Sequence, residues 1–240
     1  MRVLILFSLA LMVGFAIDAP VALAVRNAPE WLSNAGAHVT WVGQTDWQAI
    51  ILITLMLVYA LARPDSLSAA RAQRLLQVTT ACFLLILLTG IAVQVLKHGF
   101  GRPRPGALSE LSPYTLAPFG FQGSWNSFPS GHSTTMGALA ALAAHLWPRG
   151  KWIAIAVALI VGISRVIVAK HYPSDVIAGL ALGAVLSVWM LNRWQAAGAM
   201  PLAGHPLRQP TIGLGPASGL LDISRSFGHQ LVALFRSPWK

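Results

Sequence analysis

Three short clusters in this chain carry the residue types that handle phosphate. The first is Lys97, then six residues, then Arg104-Pro105; the second is Pro129-Ser130-Gly131-His132; the third is Ser164-Arg165, five residues, His171, three residues, Asp175. Arginine grips phosphate oxygens bidentately, and lysine supplies a point charge. An imidazole followed at short range by a carboxylate suits a nucleophile or proton carrier that a second group orients. Taken singly, Lys97 and Arg104 read as snorkelling cations that end a span, and Pro129 to His132 as a turn with Ser130 capping a helix. Arg165, His171 and Asp175 are harder to dismiss, because ionisable groups between two apolar spans are rare and usually functional. Together the clusters describe a site that holds a phosphoryl group and transfers it through a histidine.

The elements that must position these residues are apolar. The chain has 240 residues, 55% of them hydrophobic and only 10% charged, which excludes an ordinary soluble domain. Apolar stretches run over 3–25, 47–62, 75–96, 133–147, 152–168 and 176–190. They predict an all-α, polytopic bundle of about six transmembrane helices, several of them shorter than the ~20 residues of a perpendicular span. Trp47, Trp147, Trp152, Trp189 and Trp194 fall near span ends, as interfacial anchors do. Gly137-Ala138, Gly179 and Gly183 permit close helix packing. The membrane domain is expected over 1–193, followed by a basic cytoplasmic tail over 194–240.

Orientation follows from the cations. With the N-terminus inside, Arg2, Arg63, Arg71, Arg74, Arg149, Lys151, Arg193 and the tail cations are cytoplasmic. Outside fall Arg26, Lys97, Arg102, Arg104, Arg165 and Lys170, most of them in the clusters or beside them. All three clusters then share the periplasmic or extracytoplasmic face. The net charge of +10 does not imply nucleic acid, because no basic run exists. A single cysteine, Cys82, excludes an internal disulfide and a Cys-rich metal site.

The pattern K-x6-R-P, P-S-G-H, S-R-x5-H-x3-D resembles the three-part signature of the type 2 phosphatidic acid phosphatase superfamily. Lys97, Arg104, Pro105, Pro129, Ser130, Gly131, His132, Ser164, Arg165, His171 and Asp175 meet every signature position, within roughly residues 90–190. The resemblance implies a membrane phosphatase whose substrate is a lipid phosphate or diphosphate: undecaprenyl diphosphate, phosphatidylglycerophosphate, phosphatidic acid or a lipid A phosphate. Lys97, Arg104, Ser130, Gly131 and Arg165 would bind phosphate, with Arg102 either a further contact or solvent-facing. Gly99, Gly101 and Pro103 must end the third helix and fold those cations back over the helix ends. Ser130 would present the backbone N–H groups of Gly131 and His132 to the anion.

Pro173 at the first position of the sixth helix puts His171 just before it and Asp175 in its first turn. Asp175 can then reach one ring nitrogen of His171, leaving the other to attack phosphorus and form a phosphohistidine. His132 is the candidate to protonate the leaving oxygen and then activate water, which asks for a neutral His171 and a charged His132. The resemblance assigns the two histidines these same roles. No metal or other cofactor is implied. A lipid phosphotransferase would use the same intermediate; a transporter is disfavoured because the charges cluster at one end of the spans.

Two terminal features stay open at this level. Arg2, the apolar run after it and Ala22-Leu23-Ala24 have the makings of a signal peptide, yet a retained first span suits the usual count of the superfamily. The tail begins with a Gly- and Pro-rich linker. Beyond it Leu220, Ile223, Phe227, Leu231, Leu234 and Phe235 recur at helical spacing, as a surface-lying amphipathic helix or a mobile tail. His38, His98, His145, His205 and His229 carry no role.

Overall fold

The computed structural model describes residues 2–62, 69–107, 112–119, 123–197 and 219–235, which are helical with no strand among them. The helices are α1 (Arg2–Arg26), α2 (Glu30–Trp41), α3 (Thr45–Ala62), α4 (Ala69–Phe100), α5 (Gly131–Leu146), α6 (Lys151–Ile167), α7 (Pro173–Ala196) and α8 (Gly219–Phe235). Among the described residues, five stretches are long and apolar enough to cross a membrane: Leu4–Arg26, Glu30–Tyr59, Arg74–Ala107, Pro148–Ile167 and Pro173–Ala196. The expected fourth span corresponds to α5, whose 16 residues fall short of that length.

The helix ends follow local chemistry. Gly101 takes φ +55°, and a Cβ there would sit 1.7 Å from the Ala117 carbonyl oxygen. Only glycine fits this left-handed stop, so α4 ends at Phe100 and leaves Lys97 in its last turn. Ser130 caps α5 by accepting the N–H of Ser133, one of the donors a helix start leaves unpaired. Pro173 opens α7, and Asp175 Oδ2 takes the Tyr172 N–H at 2.8 Å.

α5 sits between α6 and α7, with Ser133, Thr134, Thr135, Gly137 and Ala138 among its buried residues. Glycine brings it close to α7: a Cβ on Gly183 would lie 2.0 Å from the Thr134 carbonyl oxygen, and one on Gly137 2.3 Å from that of Leu180. Backbones approach here as small residues allow in a membrane, where close packing rather than water exclusion holds helices together.

At the far end, Ala81, Leu84, Leu85, Leu142, Met190, Leu191 and Trp194 form a core that Ala233 and Leu234 of α8 complete. The tail helix therefore docks on the bundle, neither lying free on the lipid surface nor hanging loose. Gln230 donates to the Gln77 carbonyl and accepts from Trp194 Nε1, both at 2.9 Å. Trp194 is thus fully buried and not an interfacial anchor, because α8 covers it and supplies its partner. Trp147, Trp152 and Trp189 are exposed. The predicted linker falls largely outside the described residues.

Candidate active site

The three clusters meet at one end of the bundle. Lys97 comes from the last turn of α4 and Arg104 from the loop behind it; Gly131 and His132 open α5. Arg165 closes α6, and His171 and Asp175 flank the start of α7. The Arg104 N–H donates to the Ser124 carbonyl at 2.8 Å and the Ser127 N–H to the Arg102 carbonyl at 3.0 Å, folding the loop back over the helix ends. A Cβ built on Gly131 would stand 3.9 Å from Lys97 Nζ, so the lysine lies against the start of α5. Lys97 feels the charges of Arg104, Arg165 and Asp175, and His132 those of Arg165, Lys97 and Arg104. Arg165 NH1 donates to Thr40 Oγ1 of α2 at 2.7 Å. Among the described residues the buried Nε atoms of Arg104 and Arg165 find no hydrogen-bond partner. Buried donors are normally paired, and an anion held between these residues would pair them.

Asp175 does not grip His171 as expected. His171 Nδ1 is 2.8 Å from the carbonyl oxygen of Ser127 and 3.6 Å from Asp175 Oδ2. A carbonyl can only accept, so Nδ1 carries the proton and Nε2 is left unprotonated, with a free lone pair. Asp175 acts from behind. Its Oδ2 also accepts from Ser127 Oγ at 2.5 Å, and its Oδ1 from Arg102 NH1 at 2.5 Å. The carboxyl is displaced from the ring because Ser127 takes the ring nitrogen while Arg102 and Tyr172 take the carboxylate.

Arg102 is neither a phosphate contact nor solvent-facing. It is 2% exposed, bridges Asp175 and Asp18 of α1, and lies over the ring of Tyr172 at 4.3 Å. Asp18 also accepts from the Ser174 N–H at 3.0 Å and from Ser174 Oγ at 2.5 Å. The sequence reading missed Asp18, although an acid inside an apolar run is a recognisable signal. Thr40, Ser127 and Ser174 gave no comparable signal. Ser130 is fully buried as the α5 cap, its Oγ taking the Ser133 hydroxyl at 2.9 Å. Ser164 Oγ donates to the Val161 carbonyl and takes a structural part.

Neither histidine lies in the five long apolar stretches. Burial pushes His171 down to about 4, against the pull of Asp175, and Lys97 and Arg165 add to the fall. Burial, followed by Arg165, His171, Lys97 and Arg104, pushes His132 down to about 3. That fall runs against the charge expected on His132, and a phosphate beside it would offset the part of the fall that the cations contribute.

Residues 78–199 match the model of the PAP2 superfamily. A lipid A 1-phosphatase of Rhizobium johnstonii is 36% identical over 177 residues, covering 71% of this chain and 70% of the relative. One from Rhizobium etli is 37% identical over 175 residues, covering 71% and 74%. The chain belongs to the PAP2 superfamily. It is a multi-pass membrane lipid phosphatase, and the matched segment holds all three clusters. The fold also resembles the crystal structure of a transmembrane PAP2-type phosphatidylglycerolphosphate phosphatase from Bacillus subtilis. The TM-score is 0.51 and the identity 21%, over 77% of this chain and 92% of that one.

Among the described residues no three His, Cys, Asp or Glu side chains cluster as a metal site.

Proposed function

We propose that this PAP2 protein hydrolyses the phosphate of a membrane lipid through a phosphohistidine on His171, and that the 1-phosphate of lipid A is its substrate. The convergence of Lys97, Arg104, Arg165 and His171 around His132, with Lys97 and His132 at the head of an apolar groove, carries the reading. That groove has a volume of about 730 Å³ and leads from Lys97, Gly131 and His132 along α4 to Phe83. At 1.5 Å per residue that is about 20 Å of helix, a length suited to an acyl chain lying in the bilayer while its phosphate reaches the cations. The Rhizobium relatives named above are the reason lipid A is placed first.

In the reaction, Lys97, Arg104, Arg165 and the N–H groups of Gly131 and His132 hold the phosphoryl oxygens. His171 Nε2 forms a bond to phosphorus as the bond to the leaving oxygen breaks, and His132 gives that oxygen its proton. Water then attacks phosphorus, His132 takes a proton from it, and the P–N bond breaks to release phosphate and neutral His171. Asp175 stabilises the positive charge that develops on the ring. The same intermediate passed to a second lipid would make the protein a phosphotransferase. The distribution of cations supports a site facing the periplasm of the inner membrane.

Purified protein in detergent, supplied with lipid A, phosphatidic acid, phosphatidylglycerophosphate and undecaprenyl diphosphate, tests this reading. Inorganic phosphate should be released fastest from lipid A, and not at all by His171→Ala. Release from none of the four would refute it.

A further inference from the structure

We propose that Asp18 of the first helix is a positioning residue for catalysis, acting on His171 through Arg102 and Asp175. The inference rests on the reading of His171 as nucleophile.

The chain of contacts is continuous and buried. Asp18 Oδ2 takes Arg102 NH2 at 2.6 Å, Arg102 NH1 binds Asp175 Oδ1 at 2.5 Å, and Asp175 Oδ2 stands 3.6 Å from His171 Nδ1. Asp18 and Asp175 are both 0% exposed. Ser174 ties the two acids together, since its Oγ accepts from Arg102 NH1 at 2.7 Å and donates to Asp18 Oδ2. The Ser174 N–H donates to Asp18 Oδ1 at 3.0 Å, so an acid on α1 pairs a donor in the first turn of α7, next to His171. A fully buried carboxylate in an apolar span is costly and calls for a reason.

Charge supplies that reason. Arg102 alone behind Asp175 would offset that carboxylate's charge and weaken its stabilisation of a positive ring. With Asp18 the cluster holds two carboxylates and one guanidinium, and a net negative charge remains behind the imidazole. That charge favours the ring as it becomes positive on attack. Asp18 also holds Arg102 by its second nitrogen, which keeps the guanidinium from swinging wholly onto Asp175. Phe15 of α1, 5.2 Å from Arg102 Cζ, and Tyr172 close its sides. The first helix is thereby part of the catalytic scaffold.

The test compares Asp18→Asn with the wild type in detergent, using lipid A as substrate. Misplacing a reacting group slightly costs up to about 10²-fold, and Asp18→Asn should lower kcat at least about tenfold while KM stays within about twofold. The acid limb of kcat/KM should also move to lower pH, because His171 loses one negative neighbour while Asp175, Tyr172, Arg102, Arg104, Lys97, His132 and Arg165 stay in place around it. A residue that only held the fold would lower the rate equally at every pH. Should Asp18→Asn not accumulate as folded protein, Ser174→Ala, which keeps the carboxylate and the backbone bond, is measured the same way. A kcat within twofold of wild type in the folded variant overturns the proposal, and so does an unmoved acid limb in Asp18→Asn, the variant that removes the charge. Nuclear magnetic resonance of ¹⁵N-histidine-labelled protein separates the two readings. Wild type that cleaves no lipid refutes the function, while the His171 Nδ1–H signal still reports whether Asp18→Asn disturbs the ring.

Discussion

The Nδ1–H of His171 is held by the backbone carbonyl of Ser127 at 2.8 Å, while the carboxylate of Asp175 stays 3.6 Å from the same nitrogen. Tautomer and charge are thus governed by different residues. In a triad the carboxylate does both, and its loss costs about 10⁴-fold. Here Asp175→Asn leaves the tautomer to Ser127 but removes the charge and sets an amide N–H against one of the donors Arg102, Ser127 Oγ or Tyr172 N–H, so kcat should fall about 10²-fold, the scale of outer-shell partners. Steady-state rates with lipid A decide between the two.

Ser127→Ala keeps the carbonyl and deletes only the Oγ bond to Asp175. A hydrogen bond to a charged group contributes about 1.5–3 kcal/mol. Part of that should appear in catalysis as a kcat about tenfold lower, with KM little changed. An unaltered kcat would mean that Asp175 is held without this serine.

The two histidines set the pH dependence. A pKa pushed down to about 4 keeps His171 neutral, and thus nucleophilic, at any pH well above 4. Below it the ring takes a proton and attack stops. The acid limb of kcat/KM should therefore lie near pH 4 and not near the 6.5 of an ordinary imidazole. The alkaline limb of kcat should belong to His132, whose proton burial and the neighbouring cations disfavour and a bound phosphate would favour. A kcat that climbs steadily through neutral pH contradicts this division of roles.

Much of this was legible in the sequence because the site is built from span ends. Lys97, Arg104, His132, Arg165 and His171 are conspicuous as ionisable residues at the borders of apolar runs, and their spacing carries the family. The supports were not legible. Ser127 acts through its carbonyl, which no side-chain pattern reports, and Thr40 reaches Arg165 across 125 positions. Arg102 reads equally as a further phosphate contact or a solvent-facing cation, because local sequence cannot show its pairing with Asp18, 84 residues away. The docking of α8 also depends on a partner, since an amphipathic helix has the same pattern whether lipid or protein covers it.

Arg102 and Arg104, two residues apart, should fail differently. Arg102→Leu leaves Asp18 and Asp175 buried without their common cation, and breaking a buried pair in this way costs about 3–5 kcal/mol. Melting in detergent should drop sharply, along with the yield of monodisperse protein. Arg104→Ala removes a side chain whose Nε has no partner among the described residues, so its melting temperature should hold while affinity for the phosphate analogue vanadate weakens. Equal losses of stability in both would remove the distinction between scaffold and phosphate grip.

The distance between α5 and α7 is the last quantity the site depends on, because α5 carries Ser130 to His132 and α7 carries Asp175. A Cβ on Gly183 would meet the Thr134 carbonyl oxygen at 2.0 Å, and that atom is backbone, unable to step aside without its helix. Gly183→Ala should force the two helices apart and cost activity as well as stability. Gly228→Ala in α8 has no atom within 4 Å of the new methyl, and exchanging glycine for alanine inside a helix contributes up to about 1 kcal/mol. That variant should keep wild-type turnover and melt no lower than the parent, so the pair separates the effect of helix spacing from that of adding a methyl group. Equal turnover in both would show that α5 and α7 need not touch for His132 and His171 to cooperate.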